Sequence, residues 1–214
     1  MNNNLNPTTN WGDAPSKNTL LIRHDIDFSL DFAHKLALFE SELGICSTYF
    51  FMLTSNMYNL ISSENQRLVK SIIKLGHKVS IHFDPTAHDT LEAFEHEKRL
   101  FENIFNVEVD IVSIHRPGPF LDNNNVSLNG TPQTYSDKYF KTMKYLSDSG
   151  GRDVLPLISD LLGGDRSQGL HLLIHPIWWI SKGTSPTETL NYWRKHNSEF
   201  LAAEIRLNCK TYVD

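Results

Sequence analysis

The chain has 214 residues, 40% hydrophobic and 11% aromatic, which suits one domain with a proper core and excludes global disorder. Its 20 Lys and Arg against 25 Asp and Glu give a formal charge of −5. With no long basic run, an electrostatic grip on nucleic acid or an anionic membrane is not expected. The longest apolar runs are strand-sized, so membrane insertion is not expected either.

The first 18 residues, MNNNLNPTTNWGDAPSKN, are polar, Asn-rich and broken by Pro7 and Pro15. They lack the basic and apolar regions of a secretory signal. The reading is a poorly ordered leader, 1–18, with Trp11 tucked onto a single domain spanning 19–214. The expected compartment is the cytoplasm, with Cys46 and Cys209 as buried reduced thiols rather than a disulfide.

Strand-sized and helical patterns then alternate. Residues 19–22 form a short β-prone run. Residues 30–43 place Phe32, Leu36, Phe39 and Leu43 at helical spacing, with Gly44 as a stop. The aromatic and β-branched run 46–53 (CSTYFFML) reads as a buried strand. Ser63 is placed to cap a helix carrying Leu68, Val69 and Ile72, ended by Gly76. A third strand follows at 79–82. Asp89 with Glu92 has the form of a capping box before a helix bearing Phe94, Phe101 and Phe105.

Residues 111–115 are a fourth strand. The Pro-, Gly- and Asn-rich stretch 117–132 reads as a long surface loop, of a length often tied to function. Residues 143–147 and 170–174 supply a fifth and a sixth strand, and Ser185-Pro186-Thr187-Glu188 opens the last helix. Such alternation predicts a parallel sheet with right-handed crossovers, open or closed into a barrel. Function then belongs at the C-terminal strand ends.

The polar residues at those ends carry the chemistry. Strand one runs into Arg23-His24-Asp25-Ile26-Asp27, and alternation turns Asp25 and Asp27 to one side. Two carboxylates that close call for a divalent cation or an arginine. The plainer alternative has Asp27 capping the next helix and Asp25 paired with a surface lysine. His77 begins its strand and reads as structural, whereas His82 ends it. His115-Arg116 ends the fourth strand and His175 the sixth, so four strands deliver Asp, His, His-Arg and His to one rim.

In order and spacing these motifs resemble the NodB-type polysaccharide deacetylases (carbohydrate esterase family four), in a branch opening with His-Asp-x-Asp. The resemblance runs from residue 21 to about residue 179. His24-Asp25-Ile26-Asp27 is similar to the first family motif, Gly76-His77 through His82 to the second, and His115-Arg116-Pro117 to the third. Asp148-Ser149 stands for the fourth and Leu173-Ile174-His175-Pro176 for the fifth.

The resemblance implies an α/β fold, a deformed, incomplete (β/α) barrel of six to seven parallel strands. It also implies metal-dependent removal of acetyl from an N-acetylated sugar or surface-polysaccharide precursor, with a carbohydrate as the partner. Asp25 would be the base, Asp27 and His82 metal ligands, Arg116 the residue steadying Asp25, and His175 the general acid. Mixed oxygen and nitrogen donors suit Zn²⁺ and other first-row divalent ions. Asp148 is expected to hold His175 in its donor tautomer. Trp179 is expected to face inward and line the substrate pocket beside it. His24 is read as a partner of the two carboxylates.

The chain departs from the family pattern at one point. Four residues beyond His82, where the family has a second His, stands Thr86. His115, on a rigid neighbouring strand, is the preferred third ligand, with His88, Asp84 or water as alternatives. Two other functions stay open: hydrolysis of a small non-sugar amide on the same fold, and a non-catalytic carbohydrate-binding or scaffold domain with an impaired site.

Overall fold

Seven parallel strands frame the protein in a computed structural model that describes residues 5–118, 127–163 and 167–213. They are β1 (Asn6–Thr8), β2 (Thr19–Ile26), β3 (Thr48–Phe51), β4 (Lys78–Phe83), β5 (Val112–Ile114), β6 (Lys144–Ser147) and β7 (Leu170–Ile174). The order is β5-β4-β3-β2-β7-β6, and β1 adds to β2. The sheet curls through 215° into a half-barrel, the deformed and incomplete barrel expected from the sequence. Seven helices flank it among the described residues: α1 (Leu30–Glu42), α2 (Ser63–Lys74), α3 (Ala93–Phe105), α4 (Asp137–Phe140), α5 (Leu155–Gly163), α6 (Pro176–Ile180) and α7 (Pro186–Asn208). No helix among the described residues is long and apolar enough to cross a membrane.

The two-residue strand period sorts side chains onto two faces. Ile26, Tyr49, Phe51, Val79, Ile81 and Phe83 point outward and pack on Ala33 and Ala37 of α1, Val69 and Ile72 of α2, and Phe94 and Phe101 of α3. Leu21 and Phe50 point inward, where they close the bottom of the half-barrel with Trp11, Ile111, Tyr139 and Met143.

This bottom plug explains a difference from the sequence reading. The described part of the expected leader, 5–18, is built into the fold. Asn6–Thr8 pairs with Thr19–Leu21, the length of β2 that β3 leaves unpaired. Trp11 is 1% exposed, and its indole N–H donates to Thr48 Oγ1 at 3.0 Å. An open half-barrel would leave Leu21, Phe50 and Ile111 facing water at this end, and Trp11 covers them. Residues 1–4 lie outside the described set.

Other boundaries shift by local capping. Ser29 caps α1 through the Phe32 amide, and Ser62 rather than Ser63 caps α2 through Asn65. The expected capping box at Asp89 does not form: Pro85–Ala87 is a 3-10 turn, Leu91 O accepts from the Phe94 amide in a further turn, and α3 begins only at Ala93. Both cysteines are free and exposed, not buried as expected. Cys46 sits ahead of β3 and Cys209 at the end of α7, clear of either core.

Of the loop expected at 117–132, residues 119–126 lie outside the described set. On its far side the chain returns along the free edge of β5. The Val112 amide donates to Pro132 O and the Thr134 amide to Val112 O, both at 3.0 Å. That return carries Thr134 and Tyr135 into the half-barrel.

His24 faces the helices, opposite Asp25, so it is not the partner of the two aspartates. Its Nε2 lies 2.8 Å from Glu40 Oε1 on the buried face of α1. Glu40 Oε2 accepts from Ser47 Oγ at 2.6 Å and Tyr49 O–H at 2.8 Å. Burial pushes the Glu40 carboxyl up, but His24 and these hydroxyl donors outweigh it and bring it down to about 2. A carboxyl lowered in the folded state stabilises fully above its ordinary value, and that contribution fades as pH falls toward the folded one. Glu40→Gln should therefore be less stable than wild type at pH 7 by about 3 kcal/mol. The gap should narrow in urea melts as pH drops from about 4.5 toward 2.

Candidate active site

Inward-facing residues at the C-terminal strand ends line a cavity of about 560 Å³. Arg23 and Asp25 sit at its floor on one face of β2, two residues apart. Arg23 is completely buried. Its Nε donates to Asp25 Oδ1 at 2.9 Å and its Nη2 to Oδ2 at 2.6 Å, a bidentate pair. Nη1 donates to Thr134 Oγ1 at 2.6 Å and Nη2 also to Tyr135 O–H at 3.0 Å, with the guanidinium 4.6 Å from the Tyr135 ring centre. Burial alone would raise the Asp25 carboxyl, but the Arg23 guanidinium bound to it overcomes this and holds it well below the usual carboxylate range. Asp25 is thus ionised.

Asp27 lies just past β2. Ser29 caps α1 in its place, which leaves the Asp27 carboxylate free to face the cavity. Its Oδ1 is buried without a hydrogen-bond partner. It stands 3.3 Å from His82 Nε2 and 3.7 Å from His115 Nδ1, and those two nitrogens are 3.1 Å apart. A tetrahedral centre with bonds of about 2.0–2.1 Å has ligand atoms about 3.4 Å apart. The three edges match one face of such a tetrahedron, and a cation would satisfy the orphaned oxygen, so these side chains fit a divalent ion. Burial holds the His115 imidazole below its ordinary value, in the neutral form that ligates.

The alternatives to His115 are engaged elsewhere. His88 is stacked on Phe83 and hydrogen-bonded to Glu97. Asp84 Oδ1 accepts from the backbone N–H and hydroxyl of Thr86, at 2.9 and 2.7 Å, shaping the 3-10 turn.

His175, the residue before α6, follows β7, the strand paired with β2 on the side away from β3. Its Nδ1 donates to Asp148 Oδ1 at 2.6 Å, and its backbone N–H also reaches that carboxylate. Its Nε2 points inward, 3.8 Å from Asp27 Oδ2. Burial would lower this imidazole, but Asp148, Asp25 and Asp27 reverse the shift and hold it above its ordinary value.

Two expected roles are reassigned. Arg116 does not steady Asp25. It lies exposed at the rim, after β5, with φ of 48°, while Arg23 fills that role. A single i+2 step on one strand face reaches Asp25 more directly than a turn beyond β5. Trp179 does not face inward either: it is 40% exposed, and its indole N–H donates to Asp148 Oδ2 at 2.8 Å. Trp178 is the indole that lines the cavity. Asp148 does hold His175, from beside the cavity.

Sequence reasoning passed over Arg23, Thr134, Tyr135 and Ser113. Ser113, fully buried, donates to both Asp25 oxygens at 3.0 and 3.1 Å and lies 2.9 Å from His82 Nδ1. Period-two alternation flags two of them, since Arg23 precedes Asp25 by two and Ser113 precedes His115 by two. Nothing local points to Thr134 or Tyr135.

No protein-family model matches the chain, and no curated protein matches it in sequence. Solved structures do match its shape. The catalytic domain of a peptidoglycan N-acetylglucosamine deacetylase from Eubacterium rectale superposes with TM-score 0.50 at 15% identity, covering 89% of each chain. A family 4 acetyl xylan esterase from Clostridium thermocellum gives 0.46 at 10% identity, over 88% of this chain and 90% of its own. A CE4 family pseudoenzyme from Bacillus anthracis gives 0.48 at 14% identity over 87% of this chain, which spans only 62% of that protein's length. The fold is that of the NodB-type, family-four polysaccharide deacetylases.

Zn²⁺ titration calorimetry checks the donor set: His82→Ala and His115→Ala should each weaken binding more than about 100-fold, beyond the effect of losing an outer partner. His88→Ala should leave it unchanged within about twofold, the scatter of the method. Arg23→Ala strands a buried carboxylate and should lower stability by about 3–5 kcal/mol. Arg116→Ala, at an exposed rim, should stay within about 0.5 kcal/mol of wild type in the same denaturant melts.

Proposed function

We propose that this protein is a metal-dependent amide hydrolase that removes acetyl from an N-acetylated sugar, free or within a polysaccharide or its precursor. One observation carries the reading: an ionised carboxylate, Asp25, and an imidazole, His175, end neighbouring strands and open on one cavity together with the three converging donors Asp27, His82 and His115. A cavity of about 560 Å³ suits a sugar ring. The half-buried Trp178 indole offers a flat apolar wall for an acyl group or a pyranose face.

Asp27, His82 and His115 would hold the divalent ion, with Zn²⁺ favoured by the oxygen and nitrogen donors. Bound there, such an ion supplies a Lewis acid that makes water acidic and polarises an acyl oxygen.

The chain's own groups do the rest. Asp25, ionised and pinned by Arg23, accepts the proton that water loses as it attacks the acyl carbon. His175 acts as the imidazolium that Asp148, Asp25 and Asp27 favour: Nδ1–H stays on Asp148, and Nε2–H gives its proton to the departing nitrogen, leaving the neutral ring. Amines leave poorly without that proton, which is why an amide hydrolase needs an acid as well as a base. A domain that only bound carbohydrate would gain nothing from this pairing.

Acetate release from N-acetylglucosamine and its oligomers by the Zn²⁺-loaded protein tests the reading. His175→Ala should lower that rate about 10²–10⁴-fold. On an aryl acetate, whose leaving group departs unprotonated, the same variant should lose less than about tenfold. Stoichiometric metal uptake with no acetate release from any N-acetylated sugar would defeat the proposal.

A further inference from the structure

We infer that Ser113 is a positioning residue: it fixes the tautomer of His82 and so presents a bare Nε2 to the cation site. The inference rests on the reading of Asp27, His82 and His115 as metal ligands and extends it to a residue behind them.

A proton count along the hydrogen-bond chain leads there. Asp25, held in a bidentate pair with Arg23, is a carboxylate and only accepts. The Ser113 hydroxyl has one proton, and it lies on the Asp25 side, 3.0 and 3.1 Å from the two oxygens. With that proton committed, Ser113 Oγ meets His82 Nδ1, 2.9 Å away, only as an acceptor. Nδ1 therefore keeps the proton of the neutral imidazole, the form that ligates, and Nε2 is the nitrogen left with a lone pair.

That lone pair faces His115 Nδ1 at 3.1 Å and Asp27 Oδ1 at 3.3 Å. The other tautomer would direct an N–H into the middle of the donor triangle, where a cation belongs. Water has no access to replace the hydroxyl, because Ser113 is wholly buried. The pairing is set by sheet register: His82 on β4 and Ser113 on β5 are direct cross-strand partners. One hydroxyl thus ties the proposed base to a proposed ligand, in the way that outer partners of metal-binding histidines set ring orientation.

Long-range nitrogen–proton correlation spectra of the metal-free, histidine-labelled protein read the tautomer directly. His82 should carry its proton on Nδ1. In Ser113→Ala it should shift to the Nε2–H form, and Zn²⁺ affinity by calorimetry should fall about 10–100-fold. Ser113→Thr, which keeps the hydroxyl, should restore both. A wild-type His82 protonated on Nε2 overturns the inference whatever the variants do. So does a folded Ser113→Ala protein with unchanged tautomer and affinity. Wild-type protein that takes up no Zn²⁺ while His82 holds its proton on Nδ1 defeats the metal reading and leaves Ser113 as the setter of the tautomer.

Discussion

A fully buried guanidinium bound to a buried carboxylate, Arg23 to Asp25, is the interaction on which the inner face of the half-barrel depends. Taking both charges out of water is costly, and the pair persists because its remaining donors also find partners. Thr134 and Tyr135 supply them from 111 and 112 residues further along the chain. Ser113 adds a donor to Asp25, and His82 adjoins Ser113. The floor of the cavity is one connected polar network, and such networks hold rigidly only when every member is satisfied.

Neighbouring residues of the same strand perform unlike tasks because β2 has polar chemistry on both faces. Asp25 looks into the cavity. His24, one residue earlier, binds Glu40 under α1 together with Ser47 and Tyr49. The His-Asp-x-Asp motif is therefore a lamination of two systems, one anchoring a helix to the sheet and one forming the floor of the site. Its final Asp27 stands at the mouth, where an unpartnered oxygen, two imidazole nitrogens and the inward Nε2 of His175 surround a space of atomic size.

Thr86 stands where the resemblance would place a second histidine, yet three possible cation donors still converge. His115 lies two residues beyond Ser113, the cross-strand partner of His82, and so shares its face of the sheet as a diagonal neighbour. Thr86 meanwhile has its own local task, bonding Asp84 in the 3-10 turn at the cavity's edge.

What the amino-acid order determined by itself is local in origin: the strand–helix alternation, the residues at each strand end, and the side of the strand on which Asp25 and Asp27 lie. Helical spacing and the two-residue strand period need no knowledge of distant chain, so these features are legible, to within a few residues at capped ends. Tertiary structure alone decided which arginine meets Asp25, which indole faces the cavity, whether His115 or His88 joins His82, and that Trp11 closes the barrel floor. Each of those depends on sheet register, on the return of the chain along β5, or on which face of a short helix meets the sheet. Such contacts join segments tens to more than a hundred residues apart, and no local period encodes them.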